Sequence, residues 1–364
     1  MIFIWSGLLL TIVTSFLLSD SVQPSSREQK LLNVFTIVNF PNSACNTTDD
    51  TYGVCYTSTE CSALGGSNAG SCASGFGVCC SLSGNCGGST TLNNTYFSSS
   101  SADTSPCKFT VCKCSTDICQ IKLNFDTFSI DQPNSSTSTD DKTPKTQCTD
   151  SQFTAASSGS NSANTICGTN TGYHMYLEAS ESCNTLEFTW TSTTSKSWKI
   201  HIMQIPCDAE WKAPAGCTQY FTGTTGTVYS YNYQSSLHIA NQNYQNCIRT
   251  EEGYCSISYA AIAFSVSSTP PVTTSLVDTA CTMDYVLIPQ GSTTTTSIAS
   301  LSRYCGVFLN PAAATAANAA VVTQAQPFQI GVVFDATEVS NPAATGVELG
   351  TIGFAIGYTQ STTC

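Results

Sequence analysis

Twenty-one cysteines in 364 residues restrict what this chain can fold into more than any other feature of the sequence. In a reducing cytosol so many thiols are a liability, whereas in the secretory pathway they form disulfide cross-links. A zinc site would need Cys-x-x-Cys pairs together with histidines. The nearest approach here is Cys112-x-Cys114, and the chain has only three histidines: His174, His201 and His238. The sequence therefore predicts a disulfide-linked extracellular protein.

The first residues predict export. Ile2–Leu18 is nearly all apolar and is followed by the polar residues Ser19–Ser21, which is the pattern of a secretory signal peptide. The alternative is an uncleaved anchor helix, which the short length of the apolar run disfavours. We therefore expect a signal peptide over residues 1–22 and a spacer over residues 23–44. We also expect a secreted product with no membrane span after signal removal.

The charge balance excludes one class of partner. Charged residues make up 10% of the chain, and the formal net charge is −12. No run of Lys or Arg is present, so the basic footprint of a nucleic-acid-binding protein is absent. An acidic surface also disfavours binding to anionic membranes. Because the charge is thinly spread, we interpret it as a contribution to solubility.

Alternating apolar and polar residues predict strands through most of the chain. The alternation is visible in Ile121–Phe125, Leu186–Trp190 and Trp198–Gln204, and turn residues rather than amphipathic helical repeats separate such segments. The later segments Phe328–Val332 and Phe354–Gln360 repeat the second and third of these patterns. Strand following strand predicts an all-β sandwich architecture.

A cysteine-framed segment occurs twice. Cys281–Gly306 holds an alternating strand, a polar loop and the ending Arg-Tyr-Cys-Gly, and Cys148–Gly168 is a fainter copy. Two copies of one β unit predict two homologous domains, at residues 86–207 and 217–364. The linker between them is expected near Trp211–Gly216.

A six-cysteine module precedes these domains, at residues 45–80. So short a segment cannot bury a useful core, and cross-links usually replace one. The adjacent cysteines at its end are unsuited to bond to each other. The segments Gly70-Ser-Cys72 and Gly77-Val-Cys79-Cys80 resemble the clip module that precedes arthropod serine proteases. This resemblance implies the pairs Cys45–Cys79, Cys55–Cys72 and Cys61–Cys80.

The two β domains resemble CUB domains. The residues that carry the resemblance are Cys86-Gly-Gly, the Cys-x-Phe-x-Val of Cys107–Val111, the Ile-x-Leu-x-Phe-x-x-Phe of Ile121–Phe128, and the Asp-Tyr-Val and Arg-Tyr-Cys-Gly elements of Cys281–Gly306. Residues 40–364 as a whole are similar to secreted arthropod CUB-domain proteins that carry an N-terminal clip-like module. The resemblance implies an all-β fold of two CUB-like antiparallel β-sandwiches after a small disulfide-rich module, used for binding. It also implies the disulfide Cys86–Cys107.

Many CUB domains bind calcium through acidic residues at one end of the sandwich. The resemblance places Glu252 and Asp284 at two such positions, but Ser265 stands where a further aspartate is expected after a strand phenylalanine. Calcium takes about six to eight oxygen ligands. This set gives a weak site at best, and so do Asp117 and Asp150 in the first domain. We expect these acids to be solvated or to cap turns, and the protein to have no cofactor beyond a weak calcium candidate.

The remaining cysteines are expected to leave one without a partner. Expected hairpins, the loop frame and the meeting of first and last strands give five further pairs: Cys112–Cys119, Cys148–Cys167, Cys217–Cys364, Cys247–Cys255 and Cys281–Cys305. A sixth pair, Cys183–Cys207, uses the two cysteines left near the end of the first domain. Cys114 remains, and we predict it to be unpaired or reactive. It would share a strand face with Cys112 and could compete for Cys119. A cross-link between two chains is the alternative.

No constellation for catalysis is apparent, and the sequence predicts a protein that is not an enzyme. A Ser-His-Asp triad needs a base held beside its nucleophile, but neither Gly-Asp-Ser-Gly-Gly nor Ala-Ala-His-Cys occurs. We expect the three histidines to be ordinary surface or sheet residues. Four tyrosines could make a carbohydrate or protein contact surface, although such residues more often pack in sheets: Tyr229, Tyr231, Tyr233 and Tyr244.

The sequence thus predicts a secreted extracellular binding or adaptor protein. It would recognise an extracellular protein or glycan through loops of its CUB-like domains, where the sequence can vary without disturbing the core. The alternative is a non-catalytic regulator in an extracellular serine-protease cascade, and an enzyme of unknown type is a third class. Sequons for N-glycosylation at Asn46, Asn93 and Asn134 are consistent with secretion.

Overall fold

The computed structural model describes residues 38–133, 146–157, 165–235, 237–266, 272–294, 301–336, 341–342, 348–349 and 352–364. The expected signal peptide, most of the spacer and the sequon at Asn134 lie outside these residues. Strands account for nearly all the regular structure that is described. No helix in the described part of the chain is long and apolar enough to cross a membrane.

The N-terminal cysteine module is a small sheet with one short helix. Its elements are β1 (Ala44–Asn46), β2 (Tyr52–Tyr56), α1 (Ser58–Ala63), β3 (Ser67–Cys72) and β4 (Gly77–Gly84). Helix α1 begins after Thr57, whose hydroxyl accepts the N–H of Glu60 (3.2 Å), while the Glu60 carboxylate accepts the N–H of Thr57 (3.0 Å). This capping box satisfies amide donors that the first turn of a helix leaves unpaired.

Three disulfides replace a core in this module. Successive side chains of a strand point to opposite faces, so Cys79 and Cys80 of β4 reach partners on different sides. The pairs are Cys45–Cys79, Cys55–Cys72 and Cys61–Cys80, as the sequence led us to expect.

The first sandwich follows. Its strands are β5 (Ser89–Thr90), β6 (Thr95–Ser98), β7 (Cys107–Val111), β8 (Ile118–Ser129), β9 (Ser151–Ser157), β10 (His174–Glu178), β11 (Asn184–Trp190) and β12 (Ser197–Pro206). One sheet has the order β6-β12-β8-β10 and the other β5-β7-β11-β9. The alternating residues Ile121, Leu123 and Phe125 of β8 are buried, and they belong to the same core cluster as Phe153 and Phe188 of the second sheet. The period of two read from the sequence therefore marks the core face of β8.

The N-terminal module is continuous with the first sandwich. Strand β4 extends past the expected module boundary and pairs in parallel with β6, so the two sheets form one eight-stranded sheet. The ring of Tyr52 stacks on that of His201 of β12, with centroids 4.8 Å apart and an interplanar angle of 7°. His201 is fully buried as a result.

The second sandwich contains the remaining strands. They are β13 (Cys217–Phe221), β14 (Thr225–Tyr229), β15 (Gln242–Ile248), β16 (Ser256–Ser265), β17 (Ser275–Val277), β18 (Tyr285–Gly291), β19 (Leu301–Gly306), β20 (Val321–Thr323), β21 (Phe328–Phe334), β22 (Asn341–Pro342), β23 (Glu348–Leu349) and β24 (Gly353–Ser361). One sheet has the order β14-β24-β16-β20 and the other β13-β15-β21-β18-β19-β17, while β22 pairs with β23 alone. Short 3-10 turns lie at Tyr233–Ser235 and Asp278–Ala280.

The two sandwiches repeat one strand order. The sheet β14-β24-β16-β20 corresponds strand for strand to β6-β12-β8-β10, and β13-β15-β21-β18 corresponds to β5-β7-β11-β9. In each sandwich the first strand of the second sheet runs parallel to its neighbour, as β5 does with β7 and β13 with β15. The duplication inferred from sequence is therefore present in the strand order. No strand pairing between described residues crosses from residues 86–207 to residues 217–364.

Of the seven pairs expected in these sandwiches, three occur: Cys86–Cys107, Cys148–Cys167 and Cys281–Cys305. The expected pairs Cys112–Cys119, Cys183–Cys207, Cys217–Cys364 and Cys247–Cys255 are wrong. The bonds are instead Cys112–Cys183, Cys119–Cys207, Cys217–Cys247 and Cys255–Cys364.

The errors share one physical cause. We expected β7 and β8, and likewise β15 and β16, to form hairpins, whereas each connection crosses from one sheet of the sandwich to the other. Cysteines on either side of such a crossover do not face each other. Likewise β13 and the last strand, β24, lie in different sheets, which separates Cys217 from Cys364. Cys114 is the unpaired cysteine and is exposed.

Candidate functional site

The two sandwiches meet along sheet edges and bound a cleft. Residues Phe40–Cys364 form one compact unit. Strand β10 is the edge of the eight-stranded sheet and β13 is the edge of the six-stranded sheet. At this junction the backbone N–H of Tyr220 donates to Nε2 of His174 (3.0 Å), and the Tyr231 hydroxyl donates to the His174 carbonyl (2.9 Å).

An asparagine bridge fastens the junction at one end. The backbone N–H of Asn232 donates to Oδ1 of Asn170 (2.7 Å), and Asn232 Oδ1 accepts the N–H of Thr169 (2.8 Å). Gly168 has a φ of +76°, and a Cβ built there would lie 2.1 Å from Asn232 Oδ1. Only glycine therefore allows this close approach.

The linker between the sandwiches is also held in place. The Ala213 N–H donates to Oε1 of Gln120 (3.0 Å), and Gln120 Nε2 donates to the Ala213 carbonyl (2.9 Å). Ala213 is buried, whereas Trp211 is 42% exposed. The expected boundary at Trp211–Gly216 thus falls in a segment that is anchored at one residue and accessible on either side of it.

The cleft has a volume of about 370 Å³, within the range of small-ligand sites. It is lined by Thr171, Gly172, Tyr173, His174, Gln219, Phe221, Thr227, Tyr229, Tyr233 and Gln234. Tyr229 of β14 lies between two other tyrosines. Its ring centroid is 5.5 Å from that of Tyr173, at an interplanar angle of 12°, and 5.6 Å from that of Tyr233, at 33°. We call Tyr173, Tyr229 and Tyr233 the tyrosine wall.

The polar groups of the cleft carry no formal charge. None of the lining residues is Asp, Glu, Lys or Arg. Burial lowers the pKa of His174 to about 3, with a smaller contribution from nearby Lys122, so its imidazole is neutral at physiological pH. Burial also raises the pKa of Tyr173 well above its usual value. The cleft is therefore neutral, polar and aromatic.

Two of the four tyrosines singled out in the sequence belong to this site. Tyr229 and Tyr233 line the cleft, whereas Tyr231 and Tyr244 are buried in the core. Tyr173 and Gln219 were missed. Gln219 is only 2% exposed, and it shares a face of β13 with Cys217 and Phe221, which could have indicated an inward-facing amide.

The calcium candidates Glu252 and Asp284 are not brought together. Glu252 is exposed in the turn after the end of β15. Asp284 precedes β18 and lies near the start of β15, because Tyr285 pairs with Val333 and Gln242 pairs with Phe334. The length of β15, about 20 Å at its rise per residue, separates the two carboxylates. They lie at opposite ends of the sandwich and cannot share an ion.

Asp284 is instead paired within the protein. It is fully buried, with Oδ2 3.5 Å from Nε2 of His238, and its Oδ1 accepts the backbone N–H of Asp335 (2.7 Å). In the first sandwich, Asp117 precedes β8 and Asp150 precedes β9, and these two strand starts are again at opposite ends. Neither pair of weak candidates therefore forms a shared site, and Asp284 is buried rather than solvated.

The sequence analysis missed a polar cluster in the first sandwich. The hydroxyls of Ser151, Ser192 and Thr194 all donate to the carboxylate of Asp131. The Lys196 ammonium lies 3.3 Å from Asp131 Oδ2 and donates to the carbonyl of Thr194 (2.8 Å) and the hydroxyl of Ser192 (2.8 Å). These residues come from three separate segments, so no local motif signals them.

Two of the glycosylation sequons and one group of possible metal ligands lie among the described residues. Asn46 is exposed on β1. Asn93 is half-buried and uses its Oδ1 to accept the backbone N–H of Gln204 (2.8 Å). Cys86, Cys107 and Asp103 lie close together, but the two sulfurs form a disulfide and so offer no thiolate to a metal.

Comparison with known proteins finds a family match over the second sandwich. Residues 214–361 match the family model of the animal CUB domain. No curated protein sequence matches the chain. The chain is similar to the CUB1-EGF-CUB2 domain of human MASP-1/3, with 16% identity over 73% of this chain and 98% of that one (TM-score 0.25). It is also similar to the full extracellular region of zebrafish Gpr126/Adgrg6, with 11% identity over 77% of this chain and 34% of that one (TM-score 0.24).

Proposed function

We propose that this chain is a secreted binding or adaptor protein that recognises an extracellular protein or glycan and performs no catalysis. The cleft with its tyrosine wall is the observation that carries this proposal. Ligand sites are typically concave, largely apolar and aromatic, with a few convergent polar groups. The cleft combines these properties and lies where two domains meet, a common position for binding sites.

The cysteines support an extracellular location. All but one of the 21 are disulfide-bonded, which requires an oxidising compartment. The match of the second sandwich to the animal CUB domain supports the same proposal. Recognition would involve the turn at Thr171–Gly172 from the first sandwich and the segment Tyr229–Gln234 from the second.

Affinity capture from extracellular fluid of the producing organism tests this function. The immobilised full chain is compared with Tyr229→Ala, which removes the middle ring of the wall, and with Tyr254→Ala as a matched control. Tyr254 is a half-buried tyrosine in the turn between β15 and β16. We expect a partner retained by the wild type and Tyr254→Ala and reduced with Tyr229→Ala. A partner that is a protease zymogen would favour the regulator in a protease cascade. No specific retention would contradict the proposal.

A further inference from the structure

We propose that the cleft between the sandwiches binds one uncharged saccharide residue of an extracellular glycan, with the sugar ring packed against the tyrosine wall. This inference rests on the proposed binding function and specifies the ligand class of the same site. Four features of the cleft support it: the aromatic surface, the unsatisfied polar atoms, the neutrality and the size.

The tyrosine wall offers the surface that a sugar ring packs against. The face of an aromatic ring is the negative side of its quadrupole, and the C–H groups on one face of a pyranose are weakly positive. Tyr229 and Tyr233 are each half-buried, so they keep part of their surface open to the cleft. The near-parallel stacking of Tyr229 on Tyr173 holds the central ring in one orientation. A preordered wall lowers the entropy cost of binding.

Two buried polar atoms of the cleft have no hydrogen-bond partner among the described residues. They are Oε1 of Gln219 and the hydroxyl of Tyr173, although the latter lies beside Gln234. The Tyr231 hydroxyl lies beside Gln219, but its proton is directed to the carbonyl of His174. Leaving such atoms unpaired is unfavourable, because their hydration is lost and no other hydrogen bond replaces it. A ligand hydroxyl can donate to Gln219 Oε1, and another can accept from or donate to Tyr173.

The neutrality of the cleft selects against charged ligands. A carboxylate, sulfate or ammonium group would lose its hydration there without meeting an opposite charge among the lining residues, and that loss is expensive. The imidazole of His174 cannot serve as a cation, because its Nε2 already accepts the N–H of Tyr220. Hydroxyl-rich neutral ligands avoid this penalty because each hydroxyl both donates and accepts.

The size of the cleft limits the ligand. A volume of about 370 Å³ is at the lower end of the range of small-ligand pockets. A peptide that binds by adding a strand would need an open sheet edge to pair with. The two edges nearest the cleft, β10 and β13, are already joined through Tyr220 and His174. We therefore assign the cleft to a single sugar ring rather than to a peptide.

Saturation-transfer NMR with the secreted full chain tests this assignment. The probes are the methyl glycosides of mannose, galactose, glucose and N-acetylglucosamine, with methyl glycosides of N-acetylneuraminic acid and glucuronic acid as charged comparators. We expect transfer from the protein to the ring protons of at least one neutral glycoside and none to the charged ones. Preferential binding of a charged glycoside would overturn the inference.

Variants locate the site. Tyr229→Ala should weaken binding of the responding glycoside by about tenfold, while Tyr229→Phe should retain it because the ring remains. Gln219→Leu should weaken binding by a similar factor, and Tyr254→Ala should leave it unchanged. Each variant is first checked for a melting temperature and disulfide content equal to those of the wild type. If Gln219→Leu fails this check, Tyr229→Ala against Tyr229→Phe decides the question alone.

The result separates this inference from the proposed function. If no neutral glycoside binds but a partner is captured through Tyr229, the binding function stands and the saccharide assignment fails. If a glycoside binds equally to wild type and Tyr229→Ala, the sugar site lies elsewhere and the inference also fails. If neither glycosides nor extracellular partners are bound, both fail.

Discussion

The two sandwiches bury a carboxylate at the same end, but each takes it from a different strand and pairs it with a different side chain. In the first, Asp131 follows β8 and lies 3.3 Å from the Lys196 ammonium, with side chains 10% and 6% exposed. In the second, Asp284 precedes β18 and lies 3.5 Å from the His238 imidazole, with neither side chain exposed. By strand register, Ser151 is the counterpart of Asp284, and its hydroxyl donates to Asp131.

The two carboxylates show which property of this end the duplication has preserved. A buried charge is costly unless it is paired and hydrogen-bonded. Both sandwiches keep an acid at this end, and both place a basic side chain of the same chain beside it. The two acids do not occupy equivalent positions, and neither do the two basic residues. The duplication has therefore retained the pairing of an acid with a basic side chain at this end, but not the residues that form it. The predictions below test how far the two sandwiches remain equivalent, beginning with the largest effect.

Replacing Lys196 by Met should destabilise the first sandwich by about 2–4 kcal/mol. The change leaves the Asp131 charge buried among hydroxyls with no cation beside it. Lys108→Met is the matched control, because Lys108 is 56% exposed and its ion pair with Glu187, at 3.4 Å, is on the surface. Such surface pairs contribute about 0–1 kcal/mol.

Differential scanning calorimetry of the disulfide-intact chain measures both variants. We expect the melting temperature to fall clearly for Lys196→Met and to change little for Lys108→Met. Equal effects of the two substitutions would show that the Asp131–Lys196 pair stabilises the first sandwich no more than the surface pair does.

Two buried glutamines make the sandwiches equivalent at the opposite end. Nε2 of Gln204 donates to the Cys112 carbonyl (3.0 Å), and its Oε1 accepts the N–H of Cys114 (2.7 Å). Nε2 of Gln360 donates to the Arg249 carbonyl (2.7 Å), and its Oε1 accepts the N–H of Glu251 (3.0 Å). Each amide thus ties the last strand of its sandwich to the crossover between the two sheets.

Gln204→Leu and Gln360→Leu should each destabilise the protein by about 1–3 kcal/mol, because both leave backbone groups without their partners. Calorimetry of the two variants, with Gln329→Leu on the partly exposed side of β21 as control, measures the effects. If only one of the two substitutions destabilised the protein, the two glutamines would not contribute equally to stability despite their equivalent hydrogen bonds.

Acid should weaken the interface between the sandwiches before it reaches the Asp131 cluster. Burial, with help from Lys122, lowers the pKa of His174 from 6.5 to about 3. The unfolded chain therefore binds the proton first, so this stabilisation is complete above pH 6.5 and is lost as the pH falls toward 3. Burial alone would raise the pKa of Asp131, but its hydroxyl and ammonium donors lower it from 3.8 to about 2. Its contribution is lost only as the pH falls from 3.8 toward 2.

Melting temperatures measured from neutral pH down to about pH 2, a range that covers both windows, separate these two effects. We expect His174→Gln to reduce the fall of the melting temperature with pH in the upper window, and Asp131→Asn to reduce it in the lower window. His201 contributes to the upper part as well, because burial and two lysines lower its pKa to about 4. If the melting temperature of His174→Gln fell with pH as it does in the wild type over this upper range, protonation of His174 would not cause the loss of stability there.

The sequence predicted the strands and the duplication well because these depend on local patterns. The alternation in β8, β11 and β12 reflects one buried face, and the similar alternation in β21 and β24 marks the same strands in the second copy. The second sandwich also matches the animal CUB domain. Three disulfides of the N-terminal module follow from the motif that the module resembles.

The pairings and sites that failed depend on which elements become neighbours. Cys112 and Cys119 are close in sequence but belong to different sheets, and no local pattern distinguishes a crossover from a hairpin there. Asp131 and Lys196 lie far apart in the chain and meet only because β8 and β12 pair. The tyrosine wall likewise needs both sandwiches in contact, so Tyr229 alone was ambiguous between packing and binding.

The smallest expected effect concerns calcium. In the first sandwich the Lys196 ammonium donates to oxygens of Ser192 and Thr194 beside Asp131, so an added cation would compete with a covalently attached one. In the second, Asp284 is closed in beside His238, and Glu252 lies at the far end. Calcium needs several oxygen ligands around one point, and neither end presents such a set among the described residues.

We therefore expect the melting temperature to change by less than about 1 °C between millimolar calcium and excess chelator, since a ligand stabilises only in proportion to its occupancy. Asp284→Ala should lower the melting temperature itself but leave the difference between calcium and chelator near zero. The comparison is made on the same preparation with calorimetry in both buffers. A large calcium-dependent rise in melting temperature that Asp284→Ala abolishes would mean that a cation can displace His238. Calcium would then bind at this end of the second sandwich and not of the first. A rise that appears only in a Lys196→Ala variant would instead show that the ammonium occupies a position that an ion can take.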